Sequence, residues 1–234
     1  MNKLYFLFVL TVIFSCHPDK VEYETSAKKS LETGQFEQTL TITSEALDHY
    51  PNDPQFFIYR GVANFELENT TEAIDDFTSS IKYDSGNYKS YYNLGNCYFQ
   101  LDEYDKAIEY YQHALRLNPK EVEIYINLGN SYFELESYEK SLRQFEFALK
   151  LDSTSYLANL NASRNLIMEE KFDEAKPFLQ KCISVNPDRG DAYFFLAYVY
   201  YLLEQEQEEY CLLLSKSKSL GFKSTNDTLD TLCN

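Results

Sequence analysis

The sequence has few of the residues on which tight turns depend. Its 234 residues include only 7 Gly and 6 Pro, which leaves little room for the many turns of an all-β fold. Apolar residues make up 44% of the chain, enough to bury a core, and this argues against a disordered protein. The composition therefore favours a folded chain with few turns.

Basic residues are also scarce. Lys and Arg number 21 against 37 Asp and Glu, which gives a formal net charge of −16. Proteins bind nucleic acids by neutralising phosphates with Lys and Arg, and they dock on anionic lipid surfaces through basic patches. The charge argues against both kinds of partner. We expect most of the carboxylates to lie on solvated helix faces.

The motifs of common enzyme classes are missing from the sequence. It contains no GxSxG nucleophile motif, no HExxH zinc motif and no glycine-rich phosphate loop. The three histidines, His17, His49 and His113, have no His or Cys partner at metal-ligand spacing. We therefore expect a protein that is not an enzyme and that uses no metal and no cofactor.

The first sixteen residues differ in character from the rest. Lys3 is followed by an apolar run over 4–14, broken only by Thr11. The run is too short to span a hydrocarbon core, but it has the size of a secretory signal. The segment 13–16 (IFSC) resembles a bacterial lipobox, which implies a lipoprotein signal peptide over 1–15 and lipidation of Cys16.

This interpretation places residues 16–19 in a short tether and the protein in the bacterial cell envelope, on the periplasmic or outer-membrane face. The membrane would then be reached through the lipid anchor only. Two alternatives are an ordinary cleaved signal and a short uncleaved anchor, in both of which Cys16 is an incidental thiol.

The central part of the chain repeats every 34 residues. The segment 91–98 (YYNLGNCY) returns as 125–132 (YINLGNSY), and the pattern resembles the tetratricopeptide repeat (TPR) family. The same frame runs in both directions without insertion and predicts six repeats: 20–53, 54–87, 88–121, 122–155, 156–189 and 190–223. The resemblance implies an all-α fold, a right-handed α-solenoid of six tandem helical hairpins. A C-terminal capping helix is expected over 224–234.

Small and aromatic residues recur at fixed places of the repeat, which we number from its first residue. The eighth place carries Ala27, Gly61, Gly95, Gly129, Ser163 and Ala197. These small residues allow close helix packing, while aromatic residues at the fourth and seventeenth places fill the space between hairpins. In the sixth repeat, Glu209 and Lys216 fall at places meant for small residues, so we expect a one-residue slip in the polar turn 204–207.

The remaining cysteines fall into two groups. Cys97 and Cys182 occupy packing places inside helices, where a free Cys behaves as a small hydrophobic residue. Cys211 and Cys233 stand where the ends of other exported TPR proteins often carry Cys, which implies a disulfide that pins the cap to the array. Two unpaired thiols are the alternative.

In a TPR array the first helices line a concave groove, so the resemblance implies a ligand-binding surface on them. The residues expected to line it are Tyr92, Asn93, Asn96, Phe99, Ile126, Asn127, Asn130, Phe133, Asn161, Arg164, Phe194 and Tyr198. An Asn amide both donates and accepts hydrogen bonds, so this ladder of amides suits an extended peptide backbone. The alternative is that the amides serve only helix packing. Arg164 is the lone cation among these places, which argues against a clamp for a C-terminal carboxylate.

Together these patterns favour an exported, membrane-anchored TPR scaffold that binds a protein or peptide in its groove. In architecture alone it resembles TPR lipoproteins of outer-membrane assembly and those that pilot pilus secretins. The competing interpretation is an envelope lipoprotein that binds a small ligand or glycan, although the chain has no Trp to stack on a sugar. The partner and the oligomeric state stay open at this point.

Overall fold

The computed structural model describes residues 18–223 and 227–233, and within these ranges every regular element is an α-helix. Six first helices alternate with six second helices, and one short helix follows. They are α1 (Lys20–Glu32), α2 (Phe36–His49), α3 (Pro54–Glu66), α4 (Thr70–Tyr83), α5 (Tyr88–Gln100), α6 (Tyr104–Leu117), α7 (Val122–Glu134), α8 (Tyr138–Leu151), α9 (Tyr156–Met168), α10 (Phe172–Val185), α11 (Gly190–Leu202), α12 (Gln207–Ser219) and α13 (Asp227–Leu232).

Consecutive helices pack as antiparallel hairpins, and the hairpins stack in chain order. Each first helix contacts the second helix of its own hairpin and, from α3 onward, the second helix of the hairpin before it. The first helices begin at the residues that open the repeats of the sequence pattern. The predicted α-solenoid is confirmed. Because a single hairpin would leave one apolar face wet, its stability comes from these neighbours.

The turn inside each hairpin is set at the fifteenth place of the repeat. This residue has a positive φ in all six hairpins: 69° at Gly34 and 53° to 62° at Glu68, Asp102, Glu136, Glu170 and Glu204. In the third hairpin, the N–H of Asp102 donates to the carbonyl of Phe99 at 3.1 Å, and that of Glu103 donates to the carbonyl of Tyr98 at 2.9 Å. This pair of bonds is a Schellman motif, which ends the first helix and reverses the chain.

The sixth hairpin contains the one-residue slip expected in its polar turn. Its second helix begins at Gln207, the eighteenth place, whereas the other second helices begin at the seventeenth. The extra residue brings Leu214 and Ser217 into the core, where they are 1% exposed. The Ser217 hydroxyl donates to the Gly190 carbonyl at 2.7 Å and so ties α12 to the start of α11.

Closest packing occurs between the eighth place of a repeat and the aromatic ring at its twenty-fourth place. A Cβ added to Gly61, Gly95 or Gly129 would lie 2.7, 2.5 or 2.5 Å from the rings of Phe77, Tyr111 and Phe145, respectively. These three rings are at most 1% exposed. Only glycine lets the helix backbone meet the ring at this distance.

Two of the described hairpins bury carboxylate or amide side chains. In the second, Asp76 is 4% exposed and pairs with Arg60 at 2.6 Å, and the Asn64 amide donates to it at 3.0 Å. Burial raises the pKa of Asp76, although Arg60 acts in the opposite direction. In the fifth, the Asn165 side chain is fully buried, and neither of its amide atoms finds a hydrogen-bond partner among the described residues. An unpartnered buried amide lowers stability.

A disulfide closes the C-terminal end of the array. Cys211 in α12 is bonded to Cys233, with a Cα–Cα distance of 5.3 Å, and closing such a loop stabilises the folded chain by about 3 kcal/mol in the chain-entropy picture. Leu229 of α13 is fully buried against Phe194 and Leu214. The cap expected over 224–234 is therefore described as a helix from Asp227, while 224–226 and 234 lie outside the described residues.

The expected signal peptide over 1–15 and the lipidation site Cys16 also lie outside the described residues. Among the helices that are described, none combines the length and the apolar character needed to cross a bilayer.

The contact between glycine and ring predicts the effect of adding one methyl group. Gly129→Ala should lower the free energy of unfolding by about 1 to 3 kcal/mol, because the new Cβ would meet the Phe145 ring. This loss should appear even though Ala favours an isolated helix by about 1 kcal/mol over Gly. Urea unfolding followed by circular dichroism measures the difference.

Gly86→Ala is the matched control, because Gly86 lies in an exposed loop and its Cβ would meet only the Asp84 side chain, at 3.3 Å. We expect this control to unfold like the wild type. Equal stability of Gly129→Ala and Gly86→Ala would contradict the account of the packing.

Candidate functional site

The first helices of the third, fourth and fifth hairpins are joined by pairs of side-chain amides. The Asn127 Nδ2 donates to Asn96 Oδ1 at 3.1 Å, across the boundary between α5 and α7. One repeat further on, the Asn161 Nδ2 donates to Asn130 Oδ1 at 2.9 Å. The ninth place of one repeat thus binds the sixth place of the next. These bonds hold neighbouring first helices in register.

Two tyrosines fix the first of these amide pairs. The Tyr111 hydroxyl donates to Asn96 Oδ1 at 2.8 Å, and the Tyr92 hydroxyl accepts from Asn127 Nδ2 at 3.2 Å. Burial raises the pKa of both phenols, so both are neutral at physiological pH. Since the Tyr111 ring also packs against Gly95, one side chain connects the core of the hairpin to the amide on its surface.

Each paired amide keeps one polar atom that takes no part in these bonds. The atoms are Asn96 Nδ2, Asn127 Oδ1, Asn130 Nδ2 and Asn161 Oδ1. The helix-packing role that the sequence left open for the Asn ladder is therefore real for Asn96, Asn127, Asn130 and Asn161. The Asn96 amide also lies against the Tyr92 hydroxyl. This leaves Asn127 Oδ1, Asn130 Nδ2 and Asn161 Oδ1 as the atoms that can pair with a bound chain.

Two adjoining pockets lie along this ladder. The larger, of about 440 Å³, is lined by Phe65, Asn96, Phe99, Gln100, Asn127 and Asn130. The smaller, of about 190 Å³, is lined by Phe99, Asn130, Phe133, Glu134, Phe145, Asn161 and Arg164. Phe99 and Asn130 belong to both pockets. We call the two together the amide groove, which offers apolar rings beside amides and one guanidinium.

The guanidinium of Arg164 is held by aromatic rings. Its central carbon lies 5.6 Å from the centre of the Phe133 ring and 6.0 Å from that of Phe195. Such cation–π contacts fix the plane of the side chain and leave its N–H groups available. Glu134 lines the same pocket, but across residues 18–223 and 227–233 no carboxylate lies within ion-pair distance of Arg164.

A third pocket, of about 200 Å³, adjoins Tyr92 at the N-terminal end of α5. It is lined by Tyr88, Lys89, Tyr92, Asn93, Glu121, Glu123 and Ile124. The predicted groove residues Tyr92 and Asn93 lie here. Two carboxylates and one ammonium make this end of the surface acidic.

The repeats themselves match a known family. One tetratricopeptide-repeat model matches residues 88–121, and a second matches 122–155 and 158–189. Residues 88–189 are tetratricopeptide repeats. The amide groove is thus built almost entirely from these TPR units, and of its described lining residues only Phe65 comes from the second hairpin. TPR units generally serve as non-catalytic scaffolds.

Solved TPR structures share the fold over most of the chain. PilF of Pseudomonas aeruginosa has a TM-score of 0.73 at 17% identity, over 85% of this chain and 95% of that chain. MamA of Desulfovibrio magneticus RS-1 has a TM-score of 0.65 at 20% identity, over 70% of this chain and 93% of that chain. YrrB is described as a TPR protein with an unusual peptide-binding site. It has a TM-score of 0.64 at 21% identity, over 76% of this chain and 91% of that chain. No curated protein sequence matches the chain.

Two residues predicted to line the TPR groove are buried instead. Ile126 is 6% exposed and packs with Phe145 and Ala158, because the next hairpin covers the fifth place of its repeat. Phe194 is 9% exposed and stacks on Phe222 at 5.2 Å, because the segment after α12 and the cap cover this end of α11. Tyr198 is partly buried in the same cluster.

Sequence reasoning also missed four residues of the amide groove, namely Phe65, Gln100, Glu134 and Phe145. A sequence signal for Phe65 was present, since Phe65, Phe99 and Phe133 occupy the twelfth place of three successive repeats. Gln100 and Glu134 follow at the thirteenth place. The rim of the groove thus begins one repeat earlier than the Asn ladder.

The free cysteines are unsuited to nucleophilic chemistry. Cys97 and Cys182 are fully buried, and burial raises the pKa of each thiol to about 12. Because the thiolate is the nucleophile, both stay unreactive at neutral pH. Among the described residues, no group of three or more His, Cys, Asp or Glu side chains is placed to hold a metal ion.

Proposed function

We propose that the protein is an exported, membrane-anchored scaffold that holds a segment of a partner protein in the amide groove. The observation that carries this proposal is the row of unused donors and acceptors beside the pocket of about 440 Å³. A bound chain would gain hydrogen bonds for its backbone and an apolar site for its side chains in the same place.

The unused amide atoms favour an extended segment over a helix. A helix satisfies its own N–H and C=O groups, whereas an extended chain presents both to its surroundings. Asn127 Oδ1 and Asn161 Oδ1 would each accept from a backbone N–H of the segment. Each such bond contributes about 1 kcal/mol net. The peptide-binding site for which YrrB is described gives support from a protein of the same fold.

The rings of the groove define the side chains that the segment would carry. Phe65 and Phe99 line the larger pocket, and both are half-buried. A volume of about 440 Å³ accommodates one large apolar side chain together with its backbone. The acidic surface disfavours nucleic acid as an alternative partner.

The proposed anchoring rests on the N-terminal sequence and on the disulfide. A bond such as Cys211–Cys233 is typical of proteins in oxidising compartments, which agrees with export through the signal over 1–15. Lipidation of Cys16 would then tether the first hairpin to the membrane, since α1 begins only four residues later, at Lys20. The location would be the bacterial cell envelope.

A blocked groove should abolish partner binding. Asn130 lines both pockets, so Asn130→Trp should fill the amide groove and remove the bond from Asn161. Gln112→Trp adds similar bulk on the exposed side of the second helix α6 and serves as the control. Envelope proteins crosslinked to each variant are identified by mass spectrometry.

The proposal expects specific proteins that crosslink to the wild type and to Gln112→Trp but are lost with Asn130→Trp. Crosslinks that all three share would place binding elsewhere. A thermal shift caused by sugars and lost with Asn130→Trp would instead support the glycan-binding interpretation.

The anchor is tested separately. The full chain and Cys16→Ala are expressed in a Gram-negative host with a labelled fatty acid, and the membranes are fractionated. We expect the wild type to be labelled and membrane-bound, and Cys16→Ala to be unlabelled. An unlabelled wild type would contradict the lipoprotein proposal and leave the proposal for the groove intact.

A further inference from the structure

We propose that Arg164 selects a partner segment that carries an acidic and an apolar side chain close together on one side, an inference that rests on the proposed function. The carboxylate would pair with Arg164 in the smaller pocket, and the apolar side chain would enter the larger pocket. Arg164 would thereby fix the register of the segment along the amide groove.

The guanidinium of Arg164 is accessible to a partner. Arg164 is exposed and stacked against Phe133 and Phe195 at 5.6 and 6.0 Å. Its planar fork is held in place before any ligand arrives, so little side-chain entropy is lost on pairing. In the described part of the chain it forms no ion pair, whereas Arg60, Arg143 and Arg189 each pair with a carboxylate.

A second hydrogen-bond donor lies in the pocket of Arg164. Asn130 lines the same pocket, and its Oδ1 accepts from Asn161, which leaves its Nδ2 group as a donor. A guanidinium and an amide N–H₂ in one pocket of about 190 Å³ suit a carboxylate, which accepts from several donors at once. The volume is sufficient for a carboxylate at the end of a side chain.

The surroundings of Arg164 are acidic. Glu134 lines the same pocket, and Glu121 and Glu123 line the pocket beside Tyr92, in a chain of net charge −16. An acidic residue bound elsewhere along this surface would meet like charge. Of the residues that the structure describes, Arg164 is the one cation that lines the amide groove, so it gives specificity more than affinity by favouring a carboxylate at that position.

The position of the apolar residue follows from the shared walls. Phe99 and Asn130 line both pockets, so the two side chains must lie close together on one side of the segment. In an extended chain, alternate residues point to the same side. The acidic and apolar residues should therefore be separated by an odd number of residues.

A random peptide library displayed on phage tests the inference directly. It is selected against the folded wild type, Arg164→Glu and Arg143→Glu. Arg143 is the matched control, because its side chain is 59% exposed on the second helix α8 and pairs with Glu139 there. We expect the wild type and Arg143→Glu to enrich peptides with an acidic and an apolar residue at a constant spacing. Arg164→Glu should enrich Lys or Arg at the acidic position instead.

The contribution of the carboxylate to affinity is then measured with a selected peptide and its Asp→Asn or Glu→Gln counterpart. The neutral peptide should bind the wild type about tenfold more weakly, as expected for a charge-assisted hydrogen bond, and should bind Arg164→Glu at least as well as the acidic peptide does. Glu134→Gln should strengthen the binding of the acidic peptide about two- to threefold, because it removes a like charge. It should leave the binding of the neutral peptide unchanged. Binding of the neutral peptide to Arg164→Glu shows that this variant is folded.

The outcomes separate the two proposals. One outcome is that selection yields peptides that compete for the groove and are lost with Asn130→Trp. If these peptides show no preference for an acidic residue, the role of Arg164 is overturned and the proposed function is retained. An acidic preference that survives Arg164→Glu would also overturn it. Failure to select any peptide that Asn130→Trp weakens would overturn both.

Discussion

The contact between an aromatic ring and a helix backbone controls the geometry of the array. In the second, third and fourth hairpins, the ring at the twenty-fourth place lies against a glycine at the eighth, with no room for a Cβ. This approach sets the angle between the two helices of the hairpin, and stacking repeats it along the chain. The direction in which the sixth, ninth and twelfth places point depends on that angle. Tyr111 makes the dependence explicit, because its ring packs on Gly95 while its hydroxyl holds the amide of Asn96.

A groove built in this way is organised before a ligand arrives. The pairs Asn96–Asn127 and Asn130–Asn161 lock neighbouring first helices together, and Phe133 and Phe195 hold Arg164. Ordering of side chains is a main cost of association, and here much of that cost is met when the chain folds. The surface can therefore bind a flexible segment through a few well-placed groups and select it by the position of one charge.

The repeat period was enough to predict the fold, because the spacing of small and aromatic residues encodes a local rule that each hairpin obeys. The slip in the sixth hairpin followed from the same rule, since Glu209 and Lys216 cannot occupy packing places. The site was harder to predict. Ile126 and Phe194 are buried by elements that follow them, and this depends on the twist of the stack and on the cap. Likewise, the sequence identified the Asn ladder but could not assign which amide atom pairs with which neighbour.

Hydrogen exchange followed by mass spectrometry tests the central role of the ring contact most directly. The second and fifth hairpins, residues 54–83 and 156–185, both lie between two neighbouring hairpins. The second has Gly61 against Phe77, whereas the fifth has Ser163 and Leu179 at these places, the unpartnered buried Asn165, and Pro177 inside α10. Exchange reports the free energy of local opening. The account predicts slower exchange in α3 and α4 than in α9 and α10, and equal or faster exchange in α3 and α4 would contradict it.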